Sequence, residues 1–428
     1  MSPPAGRHKA GPYHQAVTAP GLPMSVFQPA DAQELREIIA AAAAERQAME
    51  VVGGGSKRAL GRPLQVEHTL DLSALAGIVA YEPSELVLTA GAATPLAEIE
   101  RALEGASQML AFEPADWGRL LGGDQGEQTL GGVLACNLSG PRRFKAGAAR
   151  DHFLGFHAVS GRGETFKAGG KVVKNVTGYD LSKLMAGSYG TLAVLSEVTL
   201  KVLPRPEKTR TVLLRGLDEG RAVAAMTAAL NSPHEVSGAA HLPAGLTPRS
   251  QVRYVAGAAA AVTALRVEGP GPSVAFRCAA LRRELAQFAE SEELHSLNSA
   301  RFWQEIRDAE PLAAEPGGVV WRLSLPPAEA PAVLRRLQGV GDLAFFLDWG
   351  GGLLWLAVAG AEDGGAVAIR AAHRGNGHAT LLRAPASLRE AVPVFEPQAP
   401  ALAALSARVK ESFDPLRILN PGRLYRGI

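Results

Sequence analysis

Met49-Glu50-Val51-Val52 runs directly into Gly53-Gly54-Gly55-Ser56-Lys57. A short apolar run that ends in three glycines reads as a strand delivered into a turn. With no Cβ on three successive residues, the backbone N–H groups of that turn can all point one way. Such a nest suits a phosphate, and Lys57 or Arg58 adds positive charge beside it. Upstream, Asp31 with Glu34 is a near capping box that opens an Ala-rich helix through about Arg46. The order is therefore helix, strand, glycine turn. Taken alone, the turn has the composition of any tight connection.

Two further glycine-rich segments follow. Thr129-Leu130-Gly131-Gly132-Val133-Leu134-Ala135-Cys136-Asn137-Leu138-Ser139-Gly140 leads into Pro141-Arg142-Arg143-Phe144-Lys145, which sets three cations beside a second loop. Lys174-Asn175-Val176-Thr177-Gly178-Tyr179-Asp180 leads to Gly187-Ser188-Tyr189-Gly190-Thr191-Leu192. The concentration is real: 23 of the 47 glycines fall between Gly53 and Gly190, about a third of the chain. Three separated glycine loops in one region suggest a single long ligand threaded between them.

What that ligand is not can be read from motifs. No G-x-G-x-x-G occurs at these glycines, against a Rossmann dinucleotide site, and no G-x-x-x-x-G-K-[ST], against a P-loop nucleotide hydrolase. Ala186-Gly187-Ser188-Tyr189-Gly190 approaches the G-x-S-x-G nucleophile elbow, but Ala186 replaces its first glycine. Composition excludes more. The 428 residues carry 44 basic and 42 acidic side chains, a net charge of +2, so there is no broad basic field for a nucleic acid. Cys136 and Cys278 are the only cysteines, too few for a disulfide framework, an iron–sulfur cluster or a structural zinc. Any redox centre is organic. The sequence shows neither a signal-peptide core nor an uninterrupted apolar stretch of membrane length, so a cytoplasmic protein is expected.

Strand candidates through the first half are His68–Leu72, Leu86–Ala90, Phe153–Val159, Gly163–Phe166 and Leu192–Val202, with a helix after Thr94 as N-cap and Pro95 at its first position. Pro204-Arg205-Pro206 marks a boundary. Beyond it, Thr211–Arg215, Ala222–Leu230, Ala261–Val267, Val319–Leu325, Ala328–Leu337, Leu343–Leu347 and Leu353–Ala359 alternate strand and helix as an α+β domain with an antiparallel sheet. No internal repeat is visible. The expected division is 1–205, 206–399, and a terminal segment 400–428 that returns to the first domain.

The strand–GGGS turn, the TLGG…N…SG segment, the GSYGTLAVLSEVTLKVLPRP strand and the closing FDP…ILNPGR together resemble the vanillyl-alcohol oxidase/p-cresol methylhydroxylase superfamily of FAD-binding domains. TLGGVLACNLSGPRR, GGKVVKNVTGYDLSKLMAGSYGTL and HATLLR are similar to the FAD-binding subunit of bacterial glycolate dehydrogenase (glycolate oxidase). The resemblance runs over nearly the whole chain. It implies a two-lobed FAD-binding domain of the p-cresol methylhydroxylase type followed by an α+β domain. It implies that Gly53, Gly54, Gly55, Ser56 and Lys57 wrap the FAD pyrophosphate, and that Gly131, Gly132, Cys136, Asn137 and Gly140 line its pyrophosphate and ribityl side. Arg142 would balance charge, Val194 would meet the adenine through its backbone, and Asn420 would return near the isoalloxazine. Ser56 and Lys57 stand where a flavin-linking histidine sits in some members, so noncovalent FAD is expected.

The implied reaction is oxidation of glycolate to glyoxylate, with electrons leaving through an iron–sulfur subunit toward quinone. The implied partners are a second, catalytic FAD-containing subunit and the cluster subunit, with membrane contact made only through the assembly. No catalytic residue or metal ligand set is assigned, so an accessory role, in which the subunit transfers electrons or shapes the complex without oxidising glycolate itself, stays open. His373 and His378, in His373-Arg374-Gly375-Asn376-Gly377-His378, recur as in metal-ligand loops of related 2-hydroxy-acid dehydrogenases, yet the further ligands are not matched, and a solvent-facing loop is the plainer reading. His152 and His157 fit packing or surface roles, Cys136 a small buried side chain, and Trp303, Trp321, Trp349 and Trp355 a core or interface. Two alternatives stay open: a self-contained FAD-dependent 2-hydroxy-acid dehydrogenase of the D-lactate type, and a flavin-fold scaffold with no cofactor.

Overall fold

The computed structural model describes residues 14–15, 25–171, 178–313 and 318–428. Lys174–Thr177, the start of the third glycine segment, lie outside the described residues. Ala32–Glu45 is a helix whose first amides, Gln33 and Glu34, donate to the Asp31 carboxylate. The return contact of the capping box is displaced by one residue, because Glu34 accepts from Ala30 rather than Asp31. The helix buries Leu35, Ile38, Ile39 and Ala42, the i, i+3, i+4, i+7 stripe of an amphipathic helix. That stripe packs on a small sheet in which Ser25–Phe27, His68–Asp71 and Met49–Val52 run parallel.

A five-stranded antiparallel sheet forms the second lobe, in the order Ile78–Glu82, Val87–Gly91, Ala193–Lys201, Phe153–Ser160, Thr165–Gly169. Thr94 does not cap the helix that follows. That helix spans Leu96–Gly105 with Pro95 at the cap position, and the Thr94 hydroxyl instead donates to Gly91 O at 2.7 Å and accepts from Gly77 N at 2.9 Å. The second glycine segment is not a loop: Leu130–Ala135 is a short helix capped by Thr129. Expected strand edges elsewhere agree to within a few residues.

Beyond residue 207 an eight-stranded antiparallel sheet carries a regularity that the sequence hides. Lys208–Arg215, helix Glu219–Leu230, Gly238–Leu242, Val262–Gly269, helix Gly271–Leu285 and Ser291–His295 make a β-α-β-β-α-β unit with spatial order 4-1-3-2. Val319–Ser324, helix Ala330–Arg336, Asp342–Asp348, Leu353–Ala359, helix Ala366–Ala372 and His378–Arg383 repeat it. The halves join edge to edge where His241 pairs with Leu347. The four helices cover one face, burying Trp321, Leu354 and Leu356. The alternate residues, among them Val320, Phe346 and Trp355, face the first domain and share a core with Leu88, Trp117 and Leu200.

The terminal helix Pro400–Phe413 brings the chain back. Met49 N donates to Ile418 O at 2.8 Å, Asn420 N donates to Met49 O at 3.0 Å, and Leu419 bridges to Met49 in parallel. Lys410, fully buried, donates to Thr191 O, Leu419 O and the Asp414 carboxylate at 2.6, 3.1 and 2.7 Å. Asp414 in turn accepts from Ile418 N and Leu419 N. Replacing Lys410 with Met leaves the Asp414 charge buried without its partner, so unfolding should become easier by about 3–5 kcal/mol. Chemical denaturation followed by circular dichroism measures this.

Asp348, 2% exposed, ends its strand by accepting from Trp349 N at 2.7 Å, and the Trp349 indole N–H crosses to Gly140 O at 3.1 Å. Burial pushes the Asp348 carboxyl up to about 7. A folded-state value raised above the unfolded one favours folding below the unfolded pKa of about 4 and is lost as pH climbs to about 7. Asp348→Asn keeps the acceptor and removes that dependence. Its melting temperature relative to wild type should therefore rise between pH 4.5 and pH 8, by the equivalent of on the order of 2–4 kcal/mol. A flat difference across that range would contradict the assignment.

Candidate functional site

A cleft lies where the two lobes of the first domain meet the terminal segment. The glycine turn forms one wall. Among the described residues, no backbone N–H from Gly53 through Lys57 has an acceptor in the chain, whereas the turn closes behind them with Arg58 N to Gly55 O and Leu60 N to Lys57 O. Gly54 is exposed and its four neighbours are half-buried, so these donors are open to solvent or to a ligand, and five of them in succession along a cleft have the form of an anion cradle. Gly54 shows why the side chain is missing: a Cβ there would fall 1.9 Å from Glu127 O. Lys57 donates to Ser56 Oγ at 3.1 Å, and burial lowers its pKa, with Cys136 and Asp116 opposing.

Gly131, Gly132 and Cys136 line the same cleft from the short helix, but the glycine amides are already engaged. Gly131 N donates to Ala92 O at 2.7 Å and Gly132 N to Thr129 Oγ1 at 3.4 Å. These glycines permit close packing rather than donating to a ligand; a Cβ on Gly131 would meet Ala92 O at 2.8 Å. Burial pushes the Cys136 thiol up to about 11, so it is neutral and unreactive near pH 7.

Val194 lines the far wall, on a strand stretch that pairs with Phe153–Ser160 and has no strand neighbour on its other edge before Glu197. Asn420 closes the cleft. Its Oδ1 accepts from Val51 N at 2.9 Å and its Nδ2 donates to Tyr189 O at 2.8 Å. The side chain is spent on tying the cradle strand to the Tyr189–Gly190 turn, where Gly190 adopts φ +68°.

Three expected residues lie elsewhere. Asn137 accepts from Arg150 N. Gly140 donates to Phe112 O and accepts from the Trp349 indole at the seam between domains. Arg142 is taken by two acids, with Glu268 at 2.6 and 2.9 Å and Glu113 at 3.3 Å. Burial would raise both carboxyls, but Arg266 and Arg142 hold them below their ordinary values. Arg142 thus completes an interdomain charge network and does not face the cradle.

Sequence reasoning missed the residues that hold the cleft's shape. Arg423 donates to Glu50 at 2.7 Å and to Arg58 O and Leu60 O at 2.9 and 3.2 Å, bracing the turn from behind. Tyr189 and Gly190 line the cleft; both stood in the quoted glycine segment without a role. His373 is buried, accepts from Gly375 N at 3.2 Å and lies 3.3 Å from Glu396, so it stabilises its own loop. His378 stands exposed at a strand start. Among the described residues no group of three or more His, Cys, Asp or Glu is placed to hold a metal ion. His152 is buried against Phe112 and His157 is exposed. No helix among the described residues is long and apolar enough to cross a membrane.

Residues 23–169, which carry the cradle and the short helix, match the family described as FAD binding domain. The structure of p-cresol methylhydroxylase with substrate bound superposes with a TM-score of 0.71 at 12% identity, covering 93% of this chain and 88% of that one. Glycolate oxidase subunit GlcD of Bacillus subtilis is 41% identical over 85 residues, 20% of this chain and 18% of its own length. Glycolate oxidase subunit GlcE of Escherichia coli is 36% identical over 394 residues, 92% of this chain and 97% of its own length. An anion cradle of five amides, on a fold of the p-cresol methylhydroxylase type, in a chain that matches that subunit over 92% of its length, places this protein in the glycolate oxidase subunit GlcE family of FAD-binding oxidoreductases.

Proposed function

We propose that this chain is the FAD-carrying subunit of a glycolate-oxidising assembly, working beside a flavoprotein of the GlcD kind and a cluster-bearing iron–sulfur subunit. The observation that supports it is the run of unaccepted amides from Gly53 to Lys57 in a chain that matches a GlcE subunit over nearly its full length. On this reading Gly53–Lys57 take the pyrophosphate, Val194 and its neighbours take the adenine end along the open strand edge, and the Tyr189–Gly190 turn with Asn420 bounds the isoalloxazine end. FAD, when bound, supplies the ring that accepts a hydride equivalent. The chain binds it without a covalent link, since Ser56 and Lys57 occupy the cradle and the Cys136 thiol is held neutral by burial.

The same reading divides the chain at residues 205 and 399, with the terminal segment serving the first domain through Asn420 and Arg423. Two cysteines cannot ligate a cluster, so onward electron transfer needs the partner subunit, and contact with a membrane would come through the assembly.

Gly54→Ala should weaken FAD binding by at least about tenfold, the worth of one or two charge-assisted hydrogen bonds. Flavin content per chain after gel filtration reads this, and unchanged content would remove the cradle from the FAD site. Co-expressed with its neighbours, the chain should purify as a complex in which glycolate bleaches flavin absorbance. If the isolated chain turned over glycolate with an artificial acceptor as fast as the complex, the subunit role would be wrong.

A further inference from the structure

Several arginines in the second domain are matched by acids, as Arg266 is by Glu113 and Arg301 by Glu310. Arg322 is not. It lies on Val319–Ser324, two residues from Val320 and so on the sheet face turned toward the first domain. Its guanidinium carbon is 5.0 Å from the centre of the Trp349 ring and 6.0 Å from that of Trp355. Arg143, from the first domain, brings a second guanidinium 4.6 Å from the Trp349 ring centre. Among the described residues neither arginine makes an ion pair or a side-chain hydrogen bond.

Two donors here are buried with no acceptor: Arg322 Nε and the indole Nε1 of Trp355. Both are donor-only groups, and each costs free energy until an acceptor reaches it. The acid in these surroundings, Asp348, already accepts from Trp349 N, and burial pushes it up to about 7, so it is a poor counter-ion near neutral pH. Burial lowers Arg322 to about 10, with Arg143 adding to the effect. Two cations held together on an aromatic floor, with unsatisfied N–H groups between the domains, call for an anion. A guanidinium stacked on indole is pre-oriented, and its Nε–H with one terminal N–H makes a fork that matches a planar carboxylate. Tyr189, which lines the FAD cleft, and Arg322 fall within each other's electrostatic reach.

We propose that Arg322, with Arg143 beside it on the Trp349 ring and the Trp355 N–H as a further donor, binds the carboxylate of a small 2-hydroxy or 2-oxo acid next to the FAD cleft. This deepens the function proposed above and rests on it for the identity of the acid. Arg322 is an anchoring residue; no proton or hydride passes through it.

The test is a titration of the full-length, FAD-loaded chain with oxalate and with glycolate, read by tryptophan fluorescence and by the flavin difference spectrum. Arg322→Met should weaken oxalate binding by at least about tenfold, Arg322→Lys should recover part of it, and Arg253→Met, at an exposed arginine, should leave it unchanged, with flavin content equal in all. Should Arg322→Met fail to fold by circular dichroism, Trp355→Phe keeps an aromatic ring, removes the donor and should still weaken binding. Equal affinity in the Arg322 variants, no fluorescence response of the wild type to either acid, or a preference for inorganic phosphate over both acids would each overturn the site. A chain that binds oxalate through Arg322 yet retains no FAD would leave this site standing while removing the function proposed above, so the two failures are separable.

Discussion

Five consecutive backbone amides with no acceptor are a demand that the rest of the first domain must meet. A loop of glycines left to itself would collapse onto its own carbonyls or lose its amides to water. Here it is held open from three directions. The strand Met49–Val52 delivers it, Glu127 O and Thr129 press against it so closely that Gly54 has no room for a Cβ, and the last residues of the chain hold it from behind. Asn420 and Arg423 make their contacts to Val51, Tyr189 O, Glu50, Arg58 O and Leu60 O across more than two hundred residues of sequence. The cleft is therefore closed by the terminal segment, and the buried Lys410–Asp414 pair helps to fix that segment in place.

This explains which parts of the site are legible in the sequence. The strand and its glycine turn announce themselves because local chemistry determines them: an apolar run, then residues without Cβ. The helix before them is equally local, and Asp31 marks its start. Thr94 misleads because a threonine before a proline has the composition of a cap, whereas its hydroxyl is claimed by Gly91 O and Gly77 N. TLGG misleads in the same manner. Glycines at 131 and 132 have the composition of a loop, yet Thr129 caps a helical turn there and the glycines serve packing.

Long-range pairing is where sequence reading ran out. Arg142 follows a glycine segment and reads as a phosphate contact, but Glu113 and Glu268, far away in sequence, capture it. The two β-α-β-β-α-β units share topology, not residues, so no period survives in the sequence to reveal them. What each unit preserves is only the demand for one apolar face under two helices, which many sequences satisfy.

The doubled sheet has a consequence for function. Joining two units at one edge makes a surface broad enough to lie across the first domain, and the shared core fixes the two rigidly together through Trp117 and Trp355, whose rings meet edge to face at 5.4 Å. Along that seam the arginines divide into two kinds. Arg142 and Arg266 are neutralised by Glu113 and Glu268, and serve as a clamp. Arg143 and Arg322 are not neutralised, and they converge on Trp349, whose own indole N–H ties back to Gly140. A fold that needed only adhesion between its domains would gain from pairing all four. Two cations left without acids on Trp349 raise the cost of folding, which packing along the seam offsets, and an anion from outside would relieve it.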